Sequence, residues 1–189
     1  KLSDNRWGFF PGISAGWNVH EEAFFKDSKF AEVVSLIKPR ISYGLNGNVN
    51  GIGNFDVYGK YGSVGAYNGN LGYLNTGVVN SKLRWEKSHT FELGLDLGFF
   101  NNRIHMIMDY YDRTTSDLLT DVNLPEYTGF PSFKTNLGTI SNRGFELEAK
   151  VNLLTKKDWS WDVTANTSFV KNMVKKLPFN GNANNRSGG

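Results

Sequence analysis

Several segments of the chain alternate apolar and polar residues without interruption. In the clearest, Phe91–Phe99, every odd-numbered residue is apolar, and similar runs cover 104–111, 145–153 and 159–169. Because successive side chains of a strand point to opposite faces, each run predicts a strand with one apolar and one polar face. Strands of about ten residues with this alternation are typical of a transmembrane β-barrel wall, whereas strands of soluble proteins average about five or six. A soluble antiparallel sandwich also alternates, so the pattern alone leaves both folds open.

Extending these runs to their natural boundaries predicts an all-β chain of six antiparallel strands. The predicted strands cover residues 6–19, 33–46, 83–99, 103–116, 139–153 and 159–171. Pro39 falls inside the second strand, which predicts a bulge or a locally unpaired position there. Residues 21–25 predict a short helix between the first two strands.

The connections between these strands alternate between tight and long. We expect tight turns at residues 100–102 and 154–158, and long loops rich in Gly, Asn and Tyr at residues 47–82 and 117–138. Short turns at one end and long loops at the other are typical of an outer-membrane barrel whose long loops are extracellular. Long structureless loops are uncommon in compact soluble domains. The connections therefore favour a transmembrane antiparallel β-barrel.

The alternation also assigns side chains to the two faces of such a wall. Aromatic residues gather near the short-turn end, where a membrane-interface girdle is expected: Trp17, Phe99, Trp159 and Trp161. The apolar residues expected to face lipid are Leu93, Leu95, Leu97, Leu147, Ala149, Val151, Val163 and Ala165. The charged residues expected to face the lumen are Lys38, Arg40, Glu92, Asp96, Asp109, Glu146, Glu148 and Lys150.

Composition narrows the possible functions. The chain has 189 residues, which suits one domain, and its net charge of +3 with no Lys/Arg run longer than two argues against nucleic-acid binding. The absence of cysteine excludes disulfides, thiolate metal sites and cysteine nucleophiles. No apolar run reaches the roughly 18 residues of a membrane helix. Because the chain begins with Lys1 in strand-like sequence, we expect it to be an internal piece of a longer protein.

No residue pattern predicts catalysis, and neither a metal nor a cofactor is expected. Glu146 and Glu148 share one face, as a glycosidase pair would, but a hydrated wall accounts for them more simply. The three histidines, His20, His89 and His105, have no metal-ligand spacing. We therefore expect a protein that is not an enzyme.

The long loops contain the candidate contact residues. Tyrosine rings stack on sugar rings, and Asn and Asp side chains bind sugar hydroxyls, so the composition of these loops is compatible with a glycan-binding site. Packing of the rings within the loop or onto a partner protein remains an open alternative. The candidate residues are Tyr58, Tyr61, Tyr67 and Tyr73 in the first loop and Tyr127 and Phe130 in the second.

Five sequence phrases go beyond periodicity and resemble a known family. In chain order they are RWGFFPGISAGW (6–17), IKPRISYGLNGN (37–48), LRWEKS (83–88), DYYDRTTSDLL (109–119) and NLGTISNRGFE (136–146). Together they resemble the SusC/RagA-type TonB-dependent transporters of Bacteroidota outer membranes, over residues 6–171. Pro39 departs from the pattern, since the family more often has an aliphatic residue there.

The resemblance implies a large, plugged barrel of about 22 strands, of which this chain supplies six from the later part. It implies that the whole of residues 1–189 belongs to the barrel domain and that the plug domain and TonB box lie outside this chain. It further implies active nutrient import with a SusD-like surface lipoprotein as a lid and TonB as the energy source. The substrate implied first is a glycan, with oligopeptides as the alternative. From the pattern, a soluble carbohydrate-binding β-sandwich remains the alternative of another class.

Overall fold

Six long strands form one antiparallel sheet in chain order, and a small hairpin is inserted after the second of them. The computed structural model describes residues 7–53, 56–59 and 61–178, except the side chain of Tyr67. The sheet order is β1-β2-β5-β6-β7-β8, and β3 and β4 pair separately. The strands are β1 (Gly12–Gly16), β2 (Val34–Asn48), β3 (Tyr61–Tyr67), β4 (Asn70–Asn75), β5 (Glu86–Phe99), β6 (Ile104–Asn123), β7 (Ser132–Lys156) and β8 (Trp159–Lys176). The six predicted strands and their antiparallel order are confirmed.

The register aligns the alternating side chains of all six strands. Pro39 of β2 pairs with Leu95, which pairs with Met108, which pairs with Leu147, so these side chains share one face. The adjacent row consists of Arg40, Gly94, Asp109, Glu146 and Ser168 and lies on the opposite face. We call these the apolar face and the polar face. Each predicted lipid-facing residue lies on the apolar face, and each predicted lumen-facing residue on the polar face.

The first strand is shorter than predicted. It begins after Pro11 and pairs with β2 over only five residues, ending at Gly16. Beyond this point the backbone N–H of Trp17 still donates to the carbonyl of Pro39 at 3.0 Å. The chain then turns through two 3-10 segments, 19–21 and 29–32, on either side of helix α1 (Ala23–Lys26), which confirms the predicted short helix.

The predicted bulge at Pro39 is wrong, because Pro39 pairs in register with Leu95. On its other side, however, Pro39 lies just past the last β1 pair, Gly16 with Arg40, and is unpaired there as the alternative prediction expects. The register shift of β2 lies instead between Val34 and Leu36. In an antiparallel strand the N–H and C=O of one residue point to the same neighbour, and the carbonyl of Pro39 points to β1. The N–H that proline lacks therefore falls where β1 ends, so pairing with β5 is undisturbed.

The second predicted loop, residues 117–138, is mostly strand. β6 continues to Asn123 and β7 begins at Ser132, so only residues 124–131 connect them, with a 3-10 turn at 126–128. The ladder absorbs Asp117 in a bulge, at a φ of 57°, and Gly138 pairs with Leu118 beyond it. Asp117 and Gly138 resemble strand breakers in the sequence, but an irregularity of this kind lets the strands continue.

The first predicted loop, residues 47–82, contains the β3–β4 hairpin. Asn68 and Gly69 form its turn with φ values of 49° and 77°, as a type I′ turn requires. The buried core of the described residues lies at the foot of this loop, where Val57 and Leu83 pack against Val49, Ile52, Trp85 and Leu119. Among the described residues, no helix is long and apolar enough to cross a membrane.

Candidate functional site

The centre of the polar face is an ion-pair cluster that joins three strands. Arg40 on β2 donates from Nη2 to Oδ1 of Asp96 on β5 at 2.8 Å and to Oδ1 of Asp109 on β6 at 3.0 Å. Gly94 lies between Arg40 and Asp109 in the same row. A Cβ at Gly94 would lie 2.6 Å from Oδ1 of Asp109 and 2.7 Å from Cζ of Arg40, so the glycine leaves the gap through which the two groups meet.

On the β7–β8 side of this cluster, the carboxylates are open to solvent. Glu146 and Glu148 are exposed, and within the described residues neither forms an ion pair. They line a shallow depression of about 380 Å³ together with Asp109, Asn166 and Ser168. Lys150 lies one position further along the face, with its Nζ 3.8 Å from Oδ2 of Asp162.

Among the described residues, the side chains of the polar face offer hydrogen bonds but no arrangement of groups that would support catalysis. Oγ of Ser42 donates to Oε2 of Glu92 at 3.1 Å, so Glu92 too is engaged with a neighbour on its own face. A ring nitrogen of His20 lies 3.2 Å from the carbonyl of Ile37, and a ring nitrogen of His89 lies 3.2 Å from the hydroxyl of Tyr43. No group of three or more potential metal ligands lies together in the part of the chain that the structure describes. The polar face thus carries more acidic than basic side chains, and several of them are exposed.

At the long-loop end, an asparagine ties the first loop to the β6–β7 hairpin. Asn136 accepts from the N–H of Arg84 at 3.0 Å and donates to the carbonyls of Arg84 at 2.8 Å and Asp117 at 2.7 Å. The guanidinium of Arg84 also donates to Oδ1 of Asp117 at 2.7 Å, and this bond raises the pKa of Arg84 above its usual value.

Further hydrogen bonds anchor the part of the first loop that lies near Arg84. We call this part the loop base (residues 49–53, 56–57 and 77–85). Lys134 donates to the carbonyl of Gly51 at 2.7 Å and lies 3.6 Å from Asp56. Asn80 donates to the carbonyl of Lys134 at 2.9 Å. Glu86, at the start of β5, accepts from the N–H of Leu119 at 2.9 Å. The loop base is therefore folded onto the β6–β7 hairpin.

The candidate tyrosines of the first loop lie outside this anchored part. Tyr61 and Tyr73 are diagonal neighbours on one face of the β3–β4 hairpin, and they are 73% and 63% exposed. Tyr58, in the turn that precedes β3, is also exposed. The backbone of Tyr67 belongs to β3, but its side chain lies outside the described residues.

The second loop presents one exposed ring and one partly covered ring. Tyr127 lies in the 3-10 turn at 126–128 and is 90% exposed. Phe130 is half-buried beside it, and its backbone N–H donates to Oγ1 of Thr128 at 3.3 Å. No described contact joins Tyr127 to the tyrosines of the first loop.

The structure also assigns roles that the sequence did not suggest. Trp85 packs against the Val57–Leu83 core and meets the ring of Phe10 edge-on at 5.5 Å. Asn136 lay within a predicted loop, and nothing in its local sequence indicates a three-bond role. Gly94 has the alternation of a polar-face position, and only the register reveals its place between Arg40 and Asp109.

Comparison with known proteins identifies the protein family in which this six-stranded sheet occurs. Residues 1–188 match the family described as TonB dependent receptor-like, beta-barrel. The chain is 37% identical over 178 residues to TonB-dependent receptor P3 of Formosa agariphila, covering 93% of this chain and 17% of that protein. It is 36% identical over 182 residues to TonB-dependent receptor SusC of Bacteroides thetaiotaomicron, covering 92% of this chain and 18% of that protein.

Solved structures agree with the sequence comparison. A structure of the RagAB peptide transporter superposes with a TM-score of 0.84 at 31% identity, covering 94% of this chain and 19% of the matched chain. The RagAB peptide importer in its "open-open" state gives a TM-score of 0.82, also at 31% identity, covering 94% of this chain and 19% of that chain. The chain thus spans less than a fifth of the length of these relatives.

These matches decide between the two folds that the alternation left open. The soluble β-sandwich is wrong, and the six-stranded sheet is a section of barrel wall. TonB-dependent receptors are outer-membrane transporters rather than a family of enzymes. The chain belongs to the TonB-dependent receptor β-barrel family and is of the SusC and RagA type.

Proposed function

We propose that this chain forms part of the wall of an active importer that takes oligosaccharides through the bacterial outer membrane. The observation that carries the proposal is the separation of side chains by the register into an apolar and a polar face across all six strands. In a barrel the apolar face contacts lipid, and the polar face, with its open carboxylates and hydroxyls, lines a hydrated lumen.

The partners in this proposal are a SusD-like surface lipoprotein and TonB. The lipoprotein captures substrate and closes over the long-loop end, while TonB supplies energy through a part of the protein outside this chain. The exposed rings of Tyr58, Tyr61, Tyr73 and Tyr127 then contact substrate or the lipoprotein. Tyrosine suits both roles because it gives a large contact area at low entropic cost.

Oligopeptides are the second candidate substrate. The likeness to the RagAB peptide transporter, at a TM-score of 0.84, supports it. The first candidate is supported instead by the exposed tyrosine rings of the first loop, because such rings can stack on sugars. The acidic polar face accommodates both substrate classes, because sugars and peptides each offer hydrogen-bond donors.

Uptake by cells distinguishes the two candidates. A strain that lacks the full-length gene is complemented with the unaltered gene, and uptake of labelled oligosaccharides and labelled oligopeptides is compared. The proposal expects oligosaccharide uptake to be restored. Restoration of peptide uptake alone would favour the second candidate, and restoration of neither would contradict the importer itself.

A triple replacement of Tyr58, Tyr61 and Tyr73 by alanine tests the hairpin. It should lower uptake, or lipoprotein association, at unchanged abundance in the membrane. Phe100→Ala is the matched control, because it removes an exposed ring from the short-turn end. Equal uptake in the triple variant and the control would remove the role proposed for the hairpin.

A further inference from the structure

A cluster of basic side chains lies on the apolar face, just beyond the apolar rows at the long-loop end. On β7 and β8 the paired Phe145 and Phe169 are followed, two residues further along, by the paired Arg143 and Lys171. Lys175 points to the same face, because its Nζ donates to Oγ1 of Thr114 at 3.3 Å. The cluster, which we call the basic rim, comprises Lys87, Arg143, Lys171, Lys175 and Lys176.

The described rows of the rim contain little negative charge. Asp112 is their acidic member, and it accepts a hydrogen bond from Nε of Arg143 at 2.7 Å. The side chain of Arg143 nevertheless remains 54% exposed. Its direct partner Lys171 is also exposed, and like charges opposite one another on neighbouring strands are mutually destabilising. The rim therefore has an excess of positive charge that an anionic neighbour would relieve.

The position of the rim matches the level of lipid head groups. From Phe145 to Leu153 the apolar face of β7 extends roughly 27 Å along the strand. At a barrel tilt of about 40° this is roughly 21 Å along the membrane normal, close to the apolar band of about 25 Å that such barrels present to lipid. The rim begins at the next row. The carboxylates of the central cluster, Asp96 and Asp109, lie by contrast on the other face of the sheet.

We propose that the basic rim binds the phosphate groups of lipid head groups in the leaflet at the long-loop end. This inference rests on the proposed function, because it requires the apolar face to be the one in contact with lipid. Arg143 offers a planar fork of donors that suits phosphate oxygens, and the lysines add point charges around it. The ligand class is a phosphorylated membrane lipid, which in an outer membrane is the phosphorylated glycolipid of the outer leaflet.

The test uses full-length protein in neutral detergent, titrated with bis-phosphorylated lipid A and read by native mass spectrometry. Each cation near an anionic lipid surface contributes about a fivefold gain in affinity, so K171Q/K175Q should bind roughly 25-fold more weakly. The matched control is K156Q/K157Q, which removes the same charge from the short-turn end of the same strands. This control should bind as the unaltered protein does. Dephosphorylated lipid A should bind equally weakly to all three proteins, and millimolar inorganic phosphate should not displace the lipid.

Four outcomes would overturn the inference. They are unchanged binding by K171Q/K175Q, an equal loss in the control, full binding of dephosphorylated lipid, and displacement of the lipid by free phosphate. The uptake assay on the same proteins reports separately on the proposed function. If K171Q/K175Q binds lipid as the unaltered protein does, while uptake by the unaltered protein is normal, the lipid-binding role of the basic rim is wrong and the proposed import function is unaffected.

Discussion

At the scale of single residues, the most informative feature is a glycine that permits an ion-pair cluster. Arg40 reaches Asp109 across β5 through the space that Gly94 leaves open between them. An unpaired carboxylate that is partly buried raises the free energy of the folded state more than a neutral group does. The contact with Arg40 therefore stabilises the polar face both by electrostatic attraction and by removing this penalty. Replacing Arg40 would leave two carboxylates facing each other.

Gly94→Ala should therefore separate the Arg40 and Asp109 side chains and destabilise the protein by no more than about 1 kcal/mol, because the atoms that the new methyl group meets are the mobile ends of those side chains. The free energy of unfolding of the full-length protein, measured by urea denaturation in lipid vesicles, checks this. Gly12→Ala is the matched control, because a Cβ there meets no atom closer than 3.8 Å. Equal effects of the two replacements would show that the gap at Gly94 has no special role.

At the scale of elements, alternation predicts the six strands well but predicts their ends poorly. The alternation with a period of two reflects the face that each side chain occupies. Most of each strand keeps this alternation even where a bulge interrupts it or where it pairs over only a few residues. Strand ends depend on neighbours in space. Asp117 is absorbed into a bulge because β7 continues beside it, and β1 stops at Gly16 although its alternation continues to Trp17.

The candidate site shows the same division between local and spatial information. The charged positions of the polar face follow from alternation, because their faces are fixed by sequence spacing. The Asn68–Gly69 turn also had a local signal, since Asn-Gly between extended segments is typical of a tight hairpin. The bonds of Asn136 to Arg84 and Asp117 had none, because they join residues up to 52 positions apart.

Asn136→Ala should loosen the loop base without unfolding the barrel. It removes three hydrogen bonds, and we expect a local loss of about 1–3 kcal/mol in the stability of that region. Hydrogen–deuterium exchange of residues 80–85 should become about fivefold to 150-fold faster, which is the same loss of free energy expressed as a rate. Asn123→Ala is the control, an exposed asparagine of the same hairpin for which no side-chain bond is described. Faster exchange in both variants, or in neither, would contradict the anchoring role.

At the scale of the whole molecule, one end of the sheet differs from the other in composition and in complexity. The β5–β6 and β7–β8 turns are tight, whereas the opposite end has a folded loop base, a projecting hairpin and a strand pair that extends to Asn123. Because outer-membrane barrels typically have short periplasmic turns and longer extracellular loops, we propose that the elaborate end lies outside the cell. Capture of substrate or docking of a lipoprotein would then occur at the elaborate end.

Labelling of single cysteines on intact cells tests this sidedness. Asn68→Cys, at the tip of the hairpin, should react with a membrane-impermeant maleimide, and Asn101→Cys, in the β5–β6 turn, should react only after the cells are lysed. Both positions are exposed, so accessibility in the folded protein does not favour either of them. The reverse pattern of labelling would invert the topology and exclude the proposed contacts of the hairpin.

The assignment of the two faces to lipid and lumen is the central claim, and neighbouring residues of β7 test it most directly. Leu147 lies on the apolar face and Glu148 on the polar face, where it has no described ion pair that a replacement would break. Leu147→Arg should lower the free energy of unfolding in lipid vesicles by about 2–4 kcal/mol, because it places a charge in the apolar band. Glu148→Arg should change the same quantity by less than about 1 kcal/mol. Equal losses, or a larger loss for Glu148→Arg, would contradict the account.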